Sequence, residues 1–180
     1  MIITQILARN ASLYRDKTAL VERTPSQNSR KSITWEDFYT TSSRFANALT
    51  NQGIQKGEKV VQLMTNCLEW LPIYFGILYT GAWVVPLNFR FEADKILLCT
   101  STAEAKIFIF GEEFIERIEA IKNELEKSVQ LWIYTGSKTS CPVWAIPYDT
   151  FIESASGNEP PNVDLDVEDD AALYFTSGTT

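Results

Sequence analysis

The sequence ends in a cluster of hydroxyl side chains around one glycine. The cluster comprises Thr176, Ser177, Gly178, Thr179 and Thr180. It follows residues 169–175, a segment typical of a short buried strand. A loop of this kind after a strand presents hydroxyl and backbone N–H donors to an anion, and the glycine lets the backbone approach closely. The pattern therefore predicts a loop that binds phosphate groups.

The residues before this loop alternate between strand and helix patterns. The predicted strands cover residues 59–64, 83–86, 106–110 and 129–134, and the predicted helices between them cover residues 66–81, 92–101 and 112–127. Such an order predicts an α/β fold with a mostly parallel sheet and helices on both faces.

Particular residues predict where these helices begin, end and pack. A long helix over residues 35–51 is expected to be capped by Thr34 and ended by Gly53, and a shorter helix precedes it over residues 4–14. In the helix from Asn66, Glu69 lies three residues on, as in a capping box. We expect the apolar residues of the last two helices to be buried: Ile96, Leu97, Leu98, Phe114, Ile115, Ile118, Ile121 and Leu125.

The composition excludes several classes of function. The chain has 180 residues, no histidine and a net charge of −7, which argues against nucleic acid and anionic membranes as partners. Without histidine it cannot form a Ser-His-Asp triad or a typical zinc site, so we expect no metal ligands. Because Cys67, Cys99 and Cys141 form no paired motif and no apolar stretch is long enough to span a membrane, we expect a cytoplasmic protein with reduced thiols.

Three further patterns favour structure over chemistry. Gly53 and Gly57 are spaced like part of a nucleotide-binding loop, but Glu58 follows where a P-loop needs lysine, so a tight turn is favoured. The pair at residues 169–170 could hold a metal ion, yet a solvated, strand-capping role is favoured. For residues 88–90, a structural loop is favoured over a cationic contact.

The final residues, YFTSGTT at 174–180, resemble the start of the signature loop of the AMP-forming acyl-CoA synthetases. These enzymes belong to the adenylate-forming superfamily. Further segments resemble the same family in the same order: residues 18–21, 33–38, 46–49, 53–60, 66–70 and 76–88. Because the family's loop continues with Gly-x-Pro-Lys-Gly, we expect this chain to be the N-terminal piece of a longer enzyme.

The resemblance implies both architecture and activity. Residues 1–180 would be one partial AMP-binding domain, the first β/α subdomain of a large N-terminal domain, with residues 135–170 as a surface connection inside it. The whole enzyme would use ATP, Mg²⁺ and coenzyme A to activate a carboxylic acid, with fatty acids as the favoured class, as acyl-adenylate and transfer it to the thiol. Thr176–Thr180 would contact the β- and γ-phosphates of ATP.

The resemblance leaves other functions open. A peptide-synthetase adenylation domain is one alternative, although residues 85–88, VPLN, and 177–180, SGTT, are the forms more typical of acyl-CoA ligases. A non-catalytic α/β module that binds a partner through its sheet edge is another. We expect the isolated fragment to contain no catalytic residue, to be inactive, to bind no cofactor and to self-associate through exposed core or a sheet edge.

Overall fold

The structure, a computed structural model, describes residues 2–176 and divides into two compact units. The first unit comprises Met1–Lys56, Asn66–Gly81 and Ser154–Asp169, and the second comprises Gly57–Thr65, Ala82–Glu153 and Asp170–Thr180. The chain therefore passes several times between the two units.

The described part of the first unit contains three α-helices and an antiparallel hairpin. Its elements are α1 (Ile3–Tyr14), β1 (Thr18–Thr24), β2 (Ser29–Thr34), α2 (Trp35–Asn51) and α3 (Trp70–Tyr79). Strands β1 and β2 pair antiparallel. The core of the unit is built from Leu7, Phe38, Ala46 and Tyr79, and the Tyr79 hydroxyl donates a hydrogen bond to the Thr4 carbonyl at 3.0 Å.

Helix α2 has the ends that the sequence predicts. The Thr34 hydroxyl accepts from the Asp37 N–H at 3.1 Å, and the Asp37 carboxylate accepts from the Thr34 N–H at 3.0 Å. This capping box satisfies two backbone groups that the helix itself leaves unpaired. After the helix, Gly53 adopts a φ of +82°, a conformation that glycine adopts at little cost. The predicted helix over residues 35–51 is confirmed.

Helix α3 begins four residues later than predicted. It starts at Trp70, and the predicted capping box of Asn66 and Glu69 is wrong. Pro72 explains the difference, because proline fits the first turn of a helix but not the interior of one that begins at residue 66. The preceding turn is held instead by Glu22, whose carboxylate accepts from the Leu68 N–H at 2.9 Å.

The second unit is built on a five-stranded parallel sheet. Its elements are β3 (Lys59–Leu63), β4 (Trp83–Pro86), α4 (Ala93–Ala103), β5 (Ile107–Phe110), α5 (Ile115–Glu119), α6 (Lys122–Leu125), β6 (Leu131–Tyr134), β7 (Ile146–Pro147) and α7 (Tyr148–Ile152). The strand order is β4-β3-β5-β6-β7, and every neighbouring pair is parallel. The predicted α/β class with a mostly parallel sheet is confirmed.

One face of this sheet packs against the helices of the same unit. Val61, Phe108 and Trp132 lie side by side in the register of β3, β5 and β6. They pack with Ile96, from α4, and with Ile118, from α5, and all five side chains are buried. Burial of this apolar face is the main stabilising contribution within the unit.

The helices of the second unit differ from the prediction in two respects. Leu98 is 56% exposed, so its predicted burial is wrong, whereas Ile96 is fully buried. The predicted single helix over residues 112–127 is also wrong, because it is divided into a 3₁₀ turn, Glu112–Phe114, followed by α5 and α6. Although the helix is broken, the predicted burial of Phe114, Ile118, Ile121 and Leu125 is confirmed.

Residues 135–170, expected as a surface connection, contain regular structure. Strand β7 pairs with β6 and forms the edge of the sheet, and α7 follows it directly. The strand has only two residues, Ile146 and Pro147, which is too short to show the alternation that predicts a strand.

The helices within residues 2–176 are short for a membrane span. Helix α2 is the longest in this range, with 17 residues. None of the helices there combines the length and the apolar composition needed to cross a bilayer.

Candidate nucleotide-binding site

The segment that leads to the predicted phosphate loop lies beside β4. The Val84 N–H donates to the Ala171 carbonyl at 3.0 Å, and the Leu173 N–H donates to the Val84 carbonyl at 2.9 Å. These bonds form a parallel bridge between Val84 and Ala172. Because the segment runs in the direction of β4, it leads Thr176 toward the carboxyl edge of the sheet, where open α/β sheets bind their ligands.

Side chains fix this segment to the core of the second unit. Leu173 and Phe175 are half-buried and pack against the apolar cluster around Phe108 and Phe110. Tyr174, between them, is 63% exposed, and Thr176 is exposed as well. The two anchoring side chains therefore hold the chain immediately before the loop and leave Thr176 open to a ligand.

The segment is less regular than predicted. The prediction of a buried strand over residues 169–175 is wrong, because the structure has a single bridge at Ala172 and no fully buried residue between Asp169 and Thr176. Among residues 2–176, no strand pairs with the other side of this segment. Of the predicted phosphate-binding residues, only Thr176 is described, and Ser177, Gly178, Thr179 and Thr180 lie outside the described residues.

A rigid turn follows the neighbouring strand β4. The Asn88 side chain accepts from the Arg90 N–H at 2.9 Å, and the Phe91 N–H donates to the Asn88 carbonyl at 2.9 Å. Arg117 donates to the carbonyls of Phe89 and Phe91 at 2.9 and 3.1 Å. These bonds account for residues 88–91 as a structural turn, which is the interpretation that the sequence favours.

A glutamate at the carboxyl edge of the sheet holds the loop that follows β3. Glu113 accepts from the Thr65 N–H, after β3, at 3.3 Å. Burial, with a smaller effect of Glu112, raises the pKa of Tyr134 to about 12, so this phenol is neutral at physiological pH.

Within residues 2–176, no three His, Cys, Asp or Glu side chains cluster closely enough to hold a metal ion.

The acidic pair before the loop is only partly solvated. The Asp169 carboxylate lies 2.6 Å from the Lys56 ammonium and accepts from the Asp166 N–H at 2.7 Å. These two contacts, the backbone hydrogen bond first, lower the pKa of Asp169 below its usual value. Sequence reasoning did not single out Lys56, because 113 positions separate it from Asp169 and no local pattern joins them.

These features define an α/β domain with a candidate anion site at the carboxyl edge of a parallel sheet. Residues 7–180 match the sequence model of the family described as AMP-binding enzyme. Since this match covers almost the whole chain, the chain belongs to the AMP-binding enzyme family. Together with the similar CoA ligases described next, this match confirms the resemblance to AMP-forming acyl-CoA synthetases.

Similar proteins in this family are CoA ligases for different acids. The chain is 26% identical over 178 residues to 4-hydroxybutyrate–CoA ligase 2 of Metallosphaera sedula, covering 97% of the chain and 31% of that protein. It is 29% identical over 177 residues to the long-chain-fatty-acid–CoA ligase FadD13 of Mycobacterium tuberculosis, covering 97% of the chain and 32% of that protein.

A solved structure shows the same fold at high similarity. The anthranilate CoA ligase AuaEII, in complex with anthranoyl-AMP, aligns with a TM-score of 0.88 at 25% identity, covering 98% of this chain and 32% of that one. The chain thus spans about a third of the length of the curated relatives that it matches.

Proposed function

We propose that the whole protein is an AMP-forming acyl-CoA synthetase, an ATP-dependent acid–thiol ligase. The observation that carries the proposal is the family match over residues 7–180, which includes the loop at the end of the sequence. The bridge between Val84 and Ala172 supports it, because the segment that forms it leads Thr176 toward the carboxyl edge of the sheet, where open α/β sheets bind their ligands.

The proposed reaction has two steps. In the first, a carboxylate oxygen attacks the α-phosphorus of ATP, a P–O bond forms as the bond to pyrophosphate breaks, and an acyl-adenylate results. In the second, the thiol of coenzyme A attacks the acyl carbon, a thioester forms, and AMP leaves as the thiol proton is released.

The loop at residues 176–180 would act on the first step. We assign to Thr176, Ser177, Thr179 and Thr180 the role of hydroxyl donors to the β- and γ-phosphates, and to Gly178 that of a close backbone approach. Donors placed where charge develops on pyrophosphate stabilise the transition state and orient the triphosphate for in-line attack. Magnesium enters as part of the substrate MgATP, because Mg²⁺ is commonly held by substrate phosphates and few protein ligands.

The acid is proposed only as a class. The relatives are named for 4-hydroxybutyrate and for long-chain fatty acids, and the solved structure for anthranilate. We propose a carboxylic acid and place fatty acids first among those to test. We also propose that residues 1–180 alone are inactive, because they span about a third of the relatives that carry the activity.

Acid-dependent exchange of pyrophosphate into ATP tests the proposal directly. The full-length protein would be assayed with fatty, aromatic and short hydroxy acids, followed by addition of coenzyme A. Exchange and thioester formation with one acid class are expected. Exchange without thioester would favour an amino-acid-adenylating or other adenylating branch, and no exchange by the folded protein would favour a non-catalytic α/β interaction module.

A loop substitution separates phosphate binding from general damage. Thr176→Val in the full-length protein is expected to raise the KM for ATP about ten-fold, which corresponds to the loss of one hydrogen bond to a charged group. Thr102→Val, an exposed threonine on α4, is the matched control and should leave this KM unchanged. An unchanged KM in Thr176→Val would contradict the assigned role.

A further inference from the structure

Lys56 binds a segment that lies far away in the sequence and shortly before the phosphate loop. Its ammonium lies 2.6 Å from the Asp169 carboxylate and donates to the Asp164 carbonyl at 2.8 Å. The side chains of Lys56 and Asp169 are 43% and 30% exposed, so both are partly withdrawn from water. Charge-assisted bonds of this length are stronger than those between neutral groups.

The segment that Lys56 binds is itself a closed turn. The Asp169 carboxylate accepts from the Asp166 N–H at 2.7 Å, and the Asp169 N–H donates to the Asp166 carbonyl at 3.3 Å. The Asp166 carboxylate accepts from the Glu168 N–H at 3.0 Å. Asp169 therefore receives hydrogen bonds from its own turn and from Lys56, and the contact with Lys56 fixes the turn to the rest of the first unit.

Gly81 leaves space for this contact. Its φ is +72°, and a side chain there would lie 2.9 Å from the Lys56 Cγ and 3.1 Å from the Leu165 Cδ2. The absence of a Cβ at Gly81 lets the stem of Lys56 and the side chain of Leu165 pack over the same backbone. The geometry around Lys56 is thus shaped by three separate stretches of the first unit.

We infer that Lys56 and Asp169 are positioning residues for the phosphate loop. Asp169 precedes Thr176 by seven residues, and the bridge to β4 begins at Ala171. The ion pair fixes the turn from which the chain continues into the residues of this bridge, and we expect its loss to loosen the segment that leads to Thr176. This inference rests on the proposed function, because its catalytic consequence is an effect on ATP binding.

Kinetics of the full-length enzyme test the inference. Lys56→Met and Asp169→Asn are each expected to raise the KM for ATP about three- to ten-fold, with kcat and the KM for the acid nearly unchanged. The double variant is expected to be no worse than either single variant, because both remove the same interaction. Lys56→Arg keeps the charge, so the KM for ATP of this variant should stay within about two-fold of the wild-type value.

The matched control removes an ion pair of the same chemistry elsewhere. Lys122→Met breaks the contact between Lys122, on α6, and Glu126, the residue that follows this helix, and no change in the KM for ATP is expected. Equal effects of Lys56→Met on the KM for ATP and the KM for the acid, or additive effects in the double variant, would overturn the inference.

Hydrogen exchange provides a second readout that does not depend on activity. The Leu173 N–H donates to Val84, and its exchange in the full-length protein is expected to be faster in Lys56→Met than in the wild type or in Lys122→Met. If the wild-type protein shows no acid-dependent exchange of pyrophosphate into ATP, the proposed function fails. The rate of hydrogen exchange at the Leu173 N–H then decides the inference by itself. Unchanged protection of Leu173 would contradict it.

Discussion

Leu173 and Val84 are joined by a backbone hydrogen bond of 2.9 Å, and Val84 donates in return to Ala171 at 3.0 Å. Together these two bonds make the only bridge that the structure places between residues 170–176 and the sheet. Two backbone bonds alone are weak in water, since each contributes about 1 kcal/mol net. The position of residues 170–176 therefore depends also on the side chains that flank the bridge.

Phe175 is the residue immediately before the predicted loop at residues 176–180. Because it is half-buried against the apolar cluster of the second unit, Phe175→Ala is expected to destabilise the protein by about 1–2 kcal/mol and to raise the KM for ATP. Urea denaturation would measure the change in stability, and the kinetics of pyrophosphate exchange would measure the change in the KM for ATP. Leu98→Ala removes a leucine that is 56% exposed and should change stability by less than about 0.5 kcal/mol. A Phe175→Ala variant as stable as Leu98→Ala would contradict this prediction.

The sequence predicts well where a local pattern determines the structure. Thr34 and Asp37 predict the beginning of α2 because a capping box lies within four residues. The strands β3 to β6 are recognisable because each is rich in apolar residues, as expected for a parallel sheet covered on its faces. The register of Val61, Phe108 and Trp132 follows from the fold, and no single segment predicts it.

The structure differs from the sequence-based predictions where it is determined by residues that are distant in the sequence. Leu98 continues an apolar run after Ile96 and Leu97, but helical geometry turns it away from the sheet. Strand β7 exists because β6 offers it an edge, and its two residues carry no strand pattern of their own. The ion pair of Lys56 and Asp169 cannot be predicted from the sequence, because only the folded first unit brings the two residues together.

Gly76 is expected to be intolerant of even the smallest side chain. A Cβ at this position of α3 would lie 2.8 Å from the Phe45 Cδ1 and 2.9 Å from the Ser42 carbonyl, both on α2. Alanine favours a helix over glycine by about 1 kcal/mol, whereas overpacking costs about 1–3 kcal/mol. Gly76→Ala should therefore lower the urea midpoint despite its better helix propensity. A raised midpoint would show that the two helices can separate at this point without loss.

Cys67 is expected to react slowly for its degree of exposure. Burial, and then the nearby Glu69 carboxylate, raise the pKa of this half-exposed thiol to about 12. At pH 8 its thiolate fraction is then about 10⁻⁴, against about a quarter for a free cysteine. Alkylation of Cys67, followed by peptide mass spectrometry, should accelerate about ten-fold per pH unit from 8 to 10. The control is the same thiol in urea, where the rate should level off near pH 9, and such a plateau in the native protein would contradict the raised pKa.

Asp169 gives a pH dependence whose direction follows from its contacts. The Asp166 N–H and the Lys56 ammonium lower its pKa in the folded state, whereas an unfolded aspartate titrates near about 3.9. Its contribution to stability is therefore fully present above about pH 4 and is lost as the pH falls through the lower folded pKa. The difference in urea midpoint between the wild type and Asp169→Asn should be largest at pH 7 and should shrink as the pH falls below the pKa of an unfolded aspartate. Asp164→Asn is the matched control, because it removes the same charge from an exposed residue that contacts Lys56 only through its carbonyl. If both variants lose the same stability at pH 7, the effect comes from net charge and the contact between Lys56 and Asp169 contributes nothing specific.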